Sequence, residues 1–342
     1  MPSHPTSTRD TMRGRLNQSR VKLWVLMNAS RGWVAAAAVG LVVVVLLVGG
    51  AVAPASLASG DPVETLFQGL LTAIITAVSL VISINQVVLS QELGPLGDQQ
   101  ERMDKALSFR AEVADALDLA VSPPAPAAFL EALLRGIAAR AKAVGKAAND
   151  ALPADDAREA LCTYSEDTAA HAEEVADQLS GAQFGTFAVV FAALNYNYSQ
   201  KINEGRRLQA MDAVNGEAQG VEAALEAVVN LLTLFGPTRE HIKTLYFQWE
   251  LIDLSRFLLY TSIPALLVAT CMILYADAGM TASLWTLAGL DGMVWVVALA
   301  TAVTLLPFMV LLAYIVRIVT VAKHTLAMGP FVLRTKGSEG DD

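Results

Sequence analysis

Four stretches of this chain stay apolar for long enough to cross a hydrocarbon core of about 30 Å, which takes roughly 20 helical residues. They run from Trp33 to Ala53, Thr65 to Ser90, Phe257 to Ala276 and Met293 to Val316, and no charge interrupts any of them. A fifth apolar run, Phe184 to Leu194, is too short to span and reads as a buried core helix. The pattern predicts an all-α integral membrane protein with four transmembrane helices and a helical domain inserted between spans two and three. It divides the chain into an N-terminal segment (1–32), a first span (33–53), a loop (54–64), a second span (65–90), a long middle segment (91–256), a third span (257–276), a loop (277–292), a fourth span (293–316) and a tail (317–342).

The second span is not uniformly apolar. Thr65, Gln68, Thr72, Thr76, Ser79, Ser83, Gln86 and Ser90 follow one another at steps of three or four, which keeps them on one helix face. Hydroxyls and amides are costly against lipid tails, so this face must meet water or another helix.

The middle segment is helical in pattern. Gly94-Pro95 stops or bends the second span, and a helix restarts near Asp98 and runs to about Ala120. Further helices are expected over about 127–148, 153–179 and from Thr186 past Arg207. Another is expected over 217–234. Gly236-Pro237 then punctuates before a helix that begins near Thr238 and continues into the third span. Tyr246, Phe247 and Trp249 precede that span and suit either an interfacial aromatic belt or a core contact.

Charge adds orientation. Arg9, Arg13, Arg15, Arg20, Lys22 and Arg31 precede the first span, and Arg317, Lys323, Arg334 and Lys336 follow the fourth. The two short loops contain no Lys or Arg. The positive-inside rule then places both termini and the middle segment in the cytoplasm of a cell membrane. Residues 91–253 hold 25 acidic and 13 basic residues, more than the whole chain's net charge of −9, and so repel nucleic acid. This acidity, with Arg outnumbering Lys, is in keeping with a prokaryote of high-salt habitat.

Catalytic chemistry is not visible. His4, His171, His241 and His324 are far apart, and no HExxH, phosphate loop or nucleophile elbow is present. His171 with Glu173, Glu174 and Asp177 has metal-ligating types, but a solvated acidic face accounts for them better. Cys162 and Cys271 are placed too differently to pair. No enzyme, metal or cofactor is expected.

The ends and neighbours of the stripe extend the picture. Asp61-Pro62-Val63-Glu64 carries a helix-start signature. In a ring of copies, Asp61 and Glu64 would make one mouth negative and Glu92 the other, and acidic rings favour cations. Pro264 and Pro307 lie at similar depth in spans three and four, as candidate hinges or fixed kinks. Gly40, Gly49, Gly50, Ser262, Thr270, Thr301 and Thr304 are candidate packing partners for the stripe.

Four spans, both termini inside and a helical region between spans two and three resemble the layout of the bestrophin channels. The resemblance covers the arrangement of the chain and no sequence motif. It implies a pentamer that conducts anions through a pore lined by the second span. Bestrophins carry an apolar, aromatic-containing constriction there, whereas Thr72, Thr76, Ser79 and Ser83 make this face polar.

Two functions follow. In the first, the chain is a homo-oligomeric ion channel in which the second span lines the pore. Its acidic mouths lean towards cations and its bestrophin-like layout towards anions. In the alternative, it is a membrane-anchored helical scaffold or signalling adaptor with a closed bundle and a cytoplasmic protein partner. A secondary transporter is disfavoured, since neither an inverted repeat nor an intramembrane charge is present.

Overall fold

The structure, a computed structural model, describes residues 31–52, 60–153, 155–181, 187–211, 214, 218–276 and 285–324. The described residues are all-α apart from one short hairpin. In order they form α1 (Arg31–Val52), α2 (Gly60–Glu92), α3 (Leu96–Ala116), α4 (Pro126–Ala151), α5 (Asp156–Leu179), α6 (Phe187–Asn195), α7 (Tyr198–Gln209), α8 (Gln219–Tyr275), β1 (Thr286–Leu287), β2 (Leu290–Asp291) and α9 (Gly292–His324). Four helices are long and apolar enough to cross a membrane: Arg31–Val52, Asp61–Ser90, Gln219–Tyr275 and Gly292–Thr320. The chain folds as two compact units, one over Gly94–Phe247 and the other from the described residues before Gly94 together with Gln248–Lys323.

The Gly94–Phe247 unit is a helical bundle around α4 and α5. On α4, Leu130, Leu133, Leu134, Ile137, Ala141, Val144 and Ala148 recur at helical spacing and are fully or almost fully buried. Pro126 occupies the first turn of α4, where its missing amide is not needed. Asp155 caps α5 by accepting a hydrogen bond from the Arg158 amide at 3.0 Å. The two helices approach closely at Gly145, where an added Cβ would lie 2.6 Å from Ser165 Oγ. That hydroxyl donates to the Ala141 carbonyl at 2.7 Å.

At two places the breaks between helices differ from the sequence expectation. The helix expected from Thr186 past Arg207 is broken at Tyr196-Asn197 into α6 and α7. Tyr196 is fully buried, its ring 5.0 Å from His171 and 5.1 Å from Phe235, and Asn197 bonds Gln200 through its side chain. Burial of one aromatic ring and a side-chain bond that competes with helix outweigh continuity here. In contrast, Gly236-Pro237 does not punctuate. Gln219 to Tyr275 is one helix that contributes to both units. Thr233 and Pro237 lie on its exposed side, where a missing amide is better tolerated than in the core. Gly236 is there for packing: an added Cβ would meet the Tyr198 ring at 3.1 Å.

Tyr164 sits at the centre of this unit and donates to the Lys201 carbonyl at 3.1 Å. Burial, with the Glu204 carboxylate adding to it, pushes its phenol above the ordinary 10.0. The unfolded phenol ionises at that ordinary value and the folded one resists. The stability that Tyr164 contributes in this way is therefore complete below pH 10.0 and is lost as pH rises beyond it. Tyr164→Phe is expected to shallow that alkaline loss while costing about 1 kcal/mol at neutral pH for the lost hydrogen bond. Denaturant midpoints measured from neutral to alkaline pH read both effects.

The other unit packs α2 against α8 and α9 in two clusters. Val63, Phe67 and Leu70 meet Ala269, Met272, Ala276, Met293, Val297 and Ala300. Further along, Ala77 and Val81 meet Leu254, Leu258, Val310, Leu311 and Tyr314, joined by Ala35 of α1. Within α1 only Ala35 and Gly50 are buried. The hairpin turns on Ala288 and Gly289, both at positive φ (54° and 78°), as a two-residue turn of its hand requires. Asp291 then caps α9, its carboxylate accepting from the Met293 amide at 3.0 Å.

Candidate functional site

The two faces of α2 have opposite surroundings. Val63, Phe67, Leu70, Ile74, Ala77 and Val81 are buried within the unit. Thr65, Gln68, Thr72, Thr76, Ser79, Ser83, Gln86 and Ser90 are all exposed. The polar stripe therefore does not serve as packing between α2 and the other helices of its own protomer. Of the partners expected for it, Gly50, Ser262, Thr301 and Thr304 are buried, and Gly40, Gly49 and Thr270 are exposed.

Hydrogen bonds along the stripe run mostly inward. The hydroxyls of Thr65, Thr72, Thr76 and Ser83 donate to the carbonyls of Asp61, Gln68, Thr72 and Ser79, four residues back, at 2.8–3.0 Å. Ser90 donates to the Val87 carbonyl at 2.8 Å. A serine or threonine hydroxyl has one proton. Once that proton is bonded to the backbone, the group presents only oxygen lone pairs outward. Gln68 Nε2 donates to Glu64 Oε1 at 2.9 Å, which leaves the amide's second proton and its carbonyl for other partners. Exposed amides of this kind cost several kcal/mol each in hydrocarbon, whereas back-bonded hydroxyls cost much less.

At one end of the stripe Asp61 lies in the first turn of α2, and both Asp61 and Glu64 are exposed. The Glu92 side chain falls outside the described residues. Pro264 is exposed within α8 and Pro307 is buried within α9, so the two prolines differ in surroundings although both helices continue through them.

One cluster of charged residues in this unit is largely buried. Arg31 at the start of α1 forms an ion pair with Glu250 of α8, and Glu250 is only 3% exposed. The Arg31 guanidinium also stacks over the Tyr314 ring of α9 at 4.7 Å. Arg317, one turn beyond Tyr314, is buried as well. Asn85 of α2 donates to Ser255 of α8 nearby in sequence to this cluster. Arg31 and Arg317 were legible only as charges flanking spans. The partner of Arg31, Glu250, is remote in sequence, and an acid seven residues before the third span gives no signal.

Elsewhere the polar residues are structural. His171 is buried beside Tyr196, whereas Glu174 and Asp177 on the same helix are exposed, so these residues do not converge. Among the described residues no three His, Cys, Asp or Glu side chains gather as for a metal ion. Cys162 and Cys271 are both free thiols. Tyr246 is a buried core residue, and Trp249 is half exposed. A shallow groove in the other unit, between α4 and α5, is lined by Lys142, Asn149, Cys162, Ser165, Glu166 and Glu173. Lys142 and Glu173 pair across it.

The site so defined is a continuous uncharged polar face on a helix capable of crossing a membrane. Residues 2–342 match a family described as a family of unknown function (DUF7972), and the chain belongs to that family. Neither a curated protein nor a solved structure matches it.

Proposed function

We propose that the protein is a homo-oligomeric ion channel of the cell membrane, with α2 of each copy lining the pore. The observation that carries this reading is the division of α2, which buries an apolar face in its own protomer while all eight residues of its polar stripe are exposed. Four helices leave little room for a channel inside one protomer. Copies related by a closed rotation, five in the bestrophin-like arrangement, surround one. By the positive-inside rule both termini and the Gly94–Phe247 unit lie in the cytoplasm. Cations suit the face better than anions. Its bonded hydroxyls offer acceptors, Asp61 and Glu64 add negative charge at one mouth, and no Lys or Arg lies on α2.

The internal hydrogen bonds also support a second reading, in which the chain is a scaffold or adaptor whose α2 helices meet in a dry seam. Hydroxyls already bonded to their own backbone tolerate such a seam.

Purified protein in liposomes separates the two. The channel reading expects potassium flux well above chloride flux. It also expects Thr76→Val/Ser79→Ala/Ser83→Ala to change the flux about tenfold, the equivalent of 1.36 kcal/mol in barrier. Single cysteines from Thr72 to Ser90, placed in a Cys162→Ser/Cys271→Ser chain, should react with a water-soluble thiol reagent at the stripe positions only. No flux and uniform protection would overturn the channel and favour the dry seam.

A further inference from the structure

The helix that follows the stripe carries a second exposed face. Every residue from Pro95 to Ser108 is exposed, and α3 packs on its own unit from Phe109, whose ring lies 6.5 Å from that of Phe129, to the buried Val113 and Ala114. Arg110 marks the junction, donating to the Ser122 and Pro123 carbonyls at 3.0 Å each. Before that junction, Leu96, Gln100, Met103 and Leu107 are spaced by four, three and four. This is the alternation of a coiled-coil seam. Leu96, Met103 and Leu107 are 84%, 60% and 57% exposed.

Charge is arranged around this seam. Asp98, Glu101, Arg102 and Lys105 lie on the far side of the helix, and Glu101 and Lys105 pair with each other at 2.7 Å. Gly97, Gln99 and Ala106 flank the seam, with Asp104 the one charge beside it. A helix built for an anionic lipid surface carries Lys and Arg in excess on its polar face. Here the acids outnumber the bases, three to two, between Leu96 and Ser108.

We infer that α3 is an assembly helix whose Leu96–Met103–Leu107 seam packs on the α3 of a neighbouring copy. The inference rests on the homo-oligomer proposed above. Only Leu93, Gly94 and Pro95 separate α2 from α3, and the chain from Glu92 to Leu96 reaches at most about 14 Å. Copies of α2 gathered around an axis therefore bring the starts of their α3 helices within packing range of one another. The short, mostly uncharged flanks of the seam suit parallel copies, which would otherwise set like charges side by side. The α3 helices of the copies then form a collar.

Disulfide cross-linking tests this in the full-length chain in liposomes, with Cys162→Ser and Cys271→Ser as background. Met103→Cys and Leu107→Cys are expected to give a covalent dimer under mild oxidation, because a disulfide needs Cα atoms within about 7 Å. Lys105→Cys, on the opposite face, is expected to give none. Equal cross-linking from both faces, or none from the seam, overturns the collar. So does a seam cysteine shielded by anionic vesicles or by another protein while the chain stays uncross-linked. Ser79→Cys on α2 serves as the control. If it cross-links and the seam does not, the collar alone fails. If neither does and light scattering gives a monomer, the channel reading fails with it.

Discussion

Glu250→Gln is expected to destabilise the unit that holds α1, α2 and α9 by about 3 kcal/mol, near the lower end of the range for breaking a buried ion pair. Glu250 is 3% exposed, and its Oε2 is buried without a hydrogen-bond partner. Its charge is tolerated because Arg31 lies against it. The amide removes that charge and leaves the Arg31 cation with a neutral acceptor and the Tyr314 ring, whose cation–π contact is worth about 0.5–2 kcal/mol. Arg31 is 25% exposed, so water recovers part of the loss and the upper end of the range is not reached. Arg31→Met is expected to cost as much or more, since it strands the carboxylate. The double variant Arg31→Met/Glu250→Leu should recover much of the stability, because apolar residues of similar volume replace buried pairs at little cost. Thermal or denaturant midpoints of the four proteins in detergent or nanodiscs give the cycle. A single-variant loss below about 0.5 kcal/mol would mean that the pair is solvated.

The second large effect belongs to Gly205 in α7. An added Cβ there would lie 2.8 Å from Tyr164 Oη and 2.9 Å from Val229 Cγ2. On helix propensity alone, Gly→Ala within a helix gains about 0.5–1 kcal/mol. Packing reverses the sign. Tyr164 must move, which strains its hydrogen bond to the Lys201 carbonyl, and inserting a methyl into a filled core costs about 1–3 kcal/mol. Gly205→Ala is therefore expected to lose about 2 kcal/mol net, and Val229→Ala in the same chain should return part of it. Gly220→Ala, where nothing lies within 4 Å of the new Cβ, is expected to be neutral or slightly stabilising. Denaturant midpoints of these variants decide between propensity and packing.

Much of the secondary structure was legible because it follows from local rules. Unbroken apolar runs located the four membrane-length helices, and Gly94-Pro95 marked the end of α2. The errors arose where tertiary contacts decide. Gly236-Pro237 carries a stop signal, but the tight contact of Gly236 with Tyr198 and the exposed position of Pro237 let α8 continue. Tyr196-Asn197 carries a weaker signal and does break a helix, because Tyr196 is drawn between His171 and Phe235. The stripe itself was legible from spacing. Its isolation from the rest of the protomer was not, since periodicity shows that residues share a face and says nothing of what that face meets. The Arg31–Glu250 pair joins residues 219 positions apart, and no local pattern reports such a contact.

The sparse burial of α1 has an evolutionary consequence. Only Ala35 and Gly50 are enclosed along its length, while Leu41, Val44, Val45, Val48 and Val52 are each more than half exposed. Selection on most of α1 therefore senses oiliness and length, not side-chain identity. Valine, leucine and isoleucine should drift freely among those positions from one family member to another. Variation should be arrested at Ala35, packed between α2, α8 and α9, and slowed at buried Gly50, and at Arg31 a change of residue should go together with a change at Glu250.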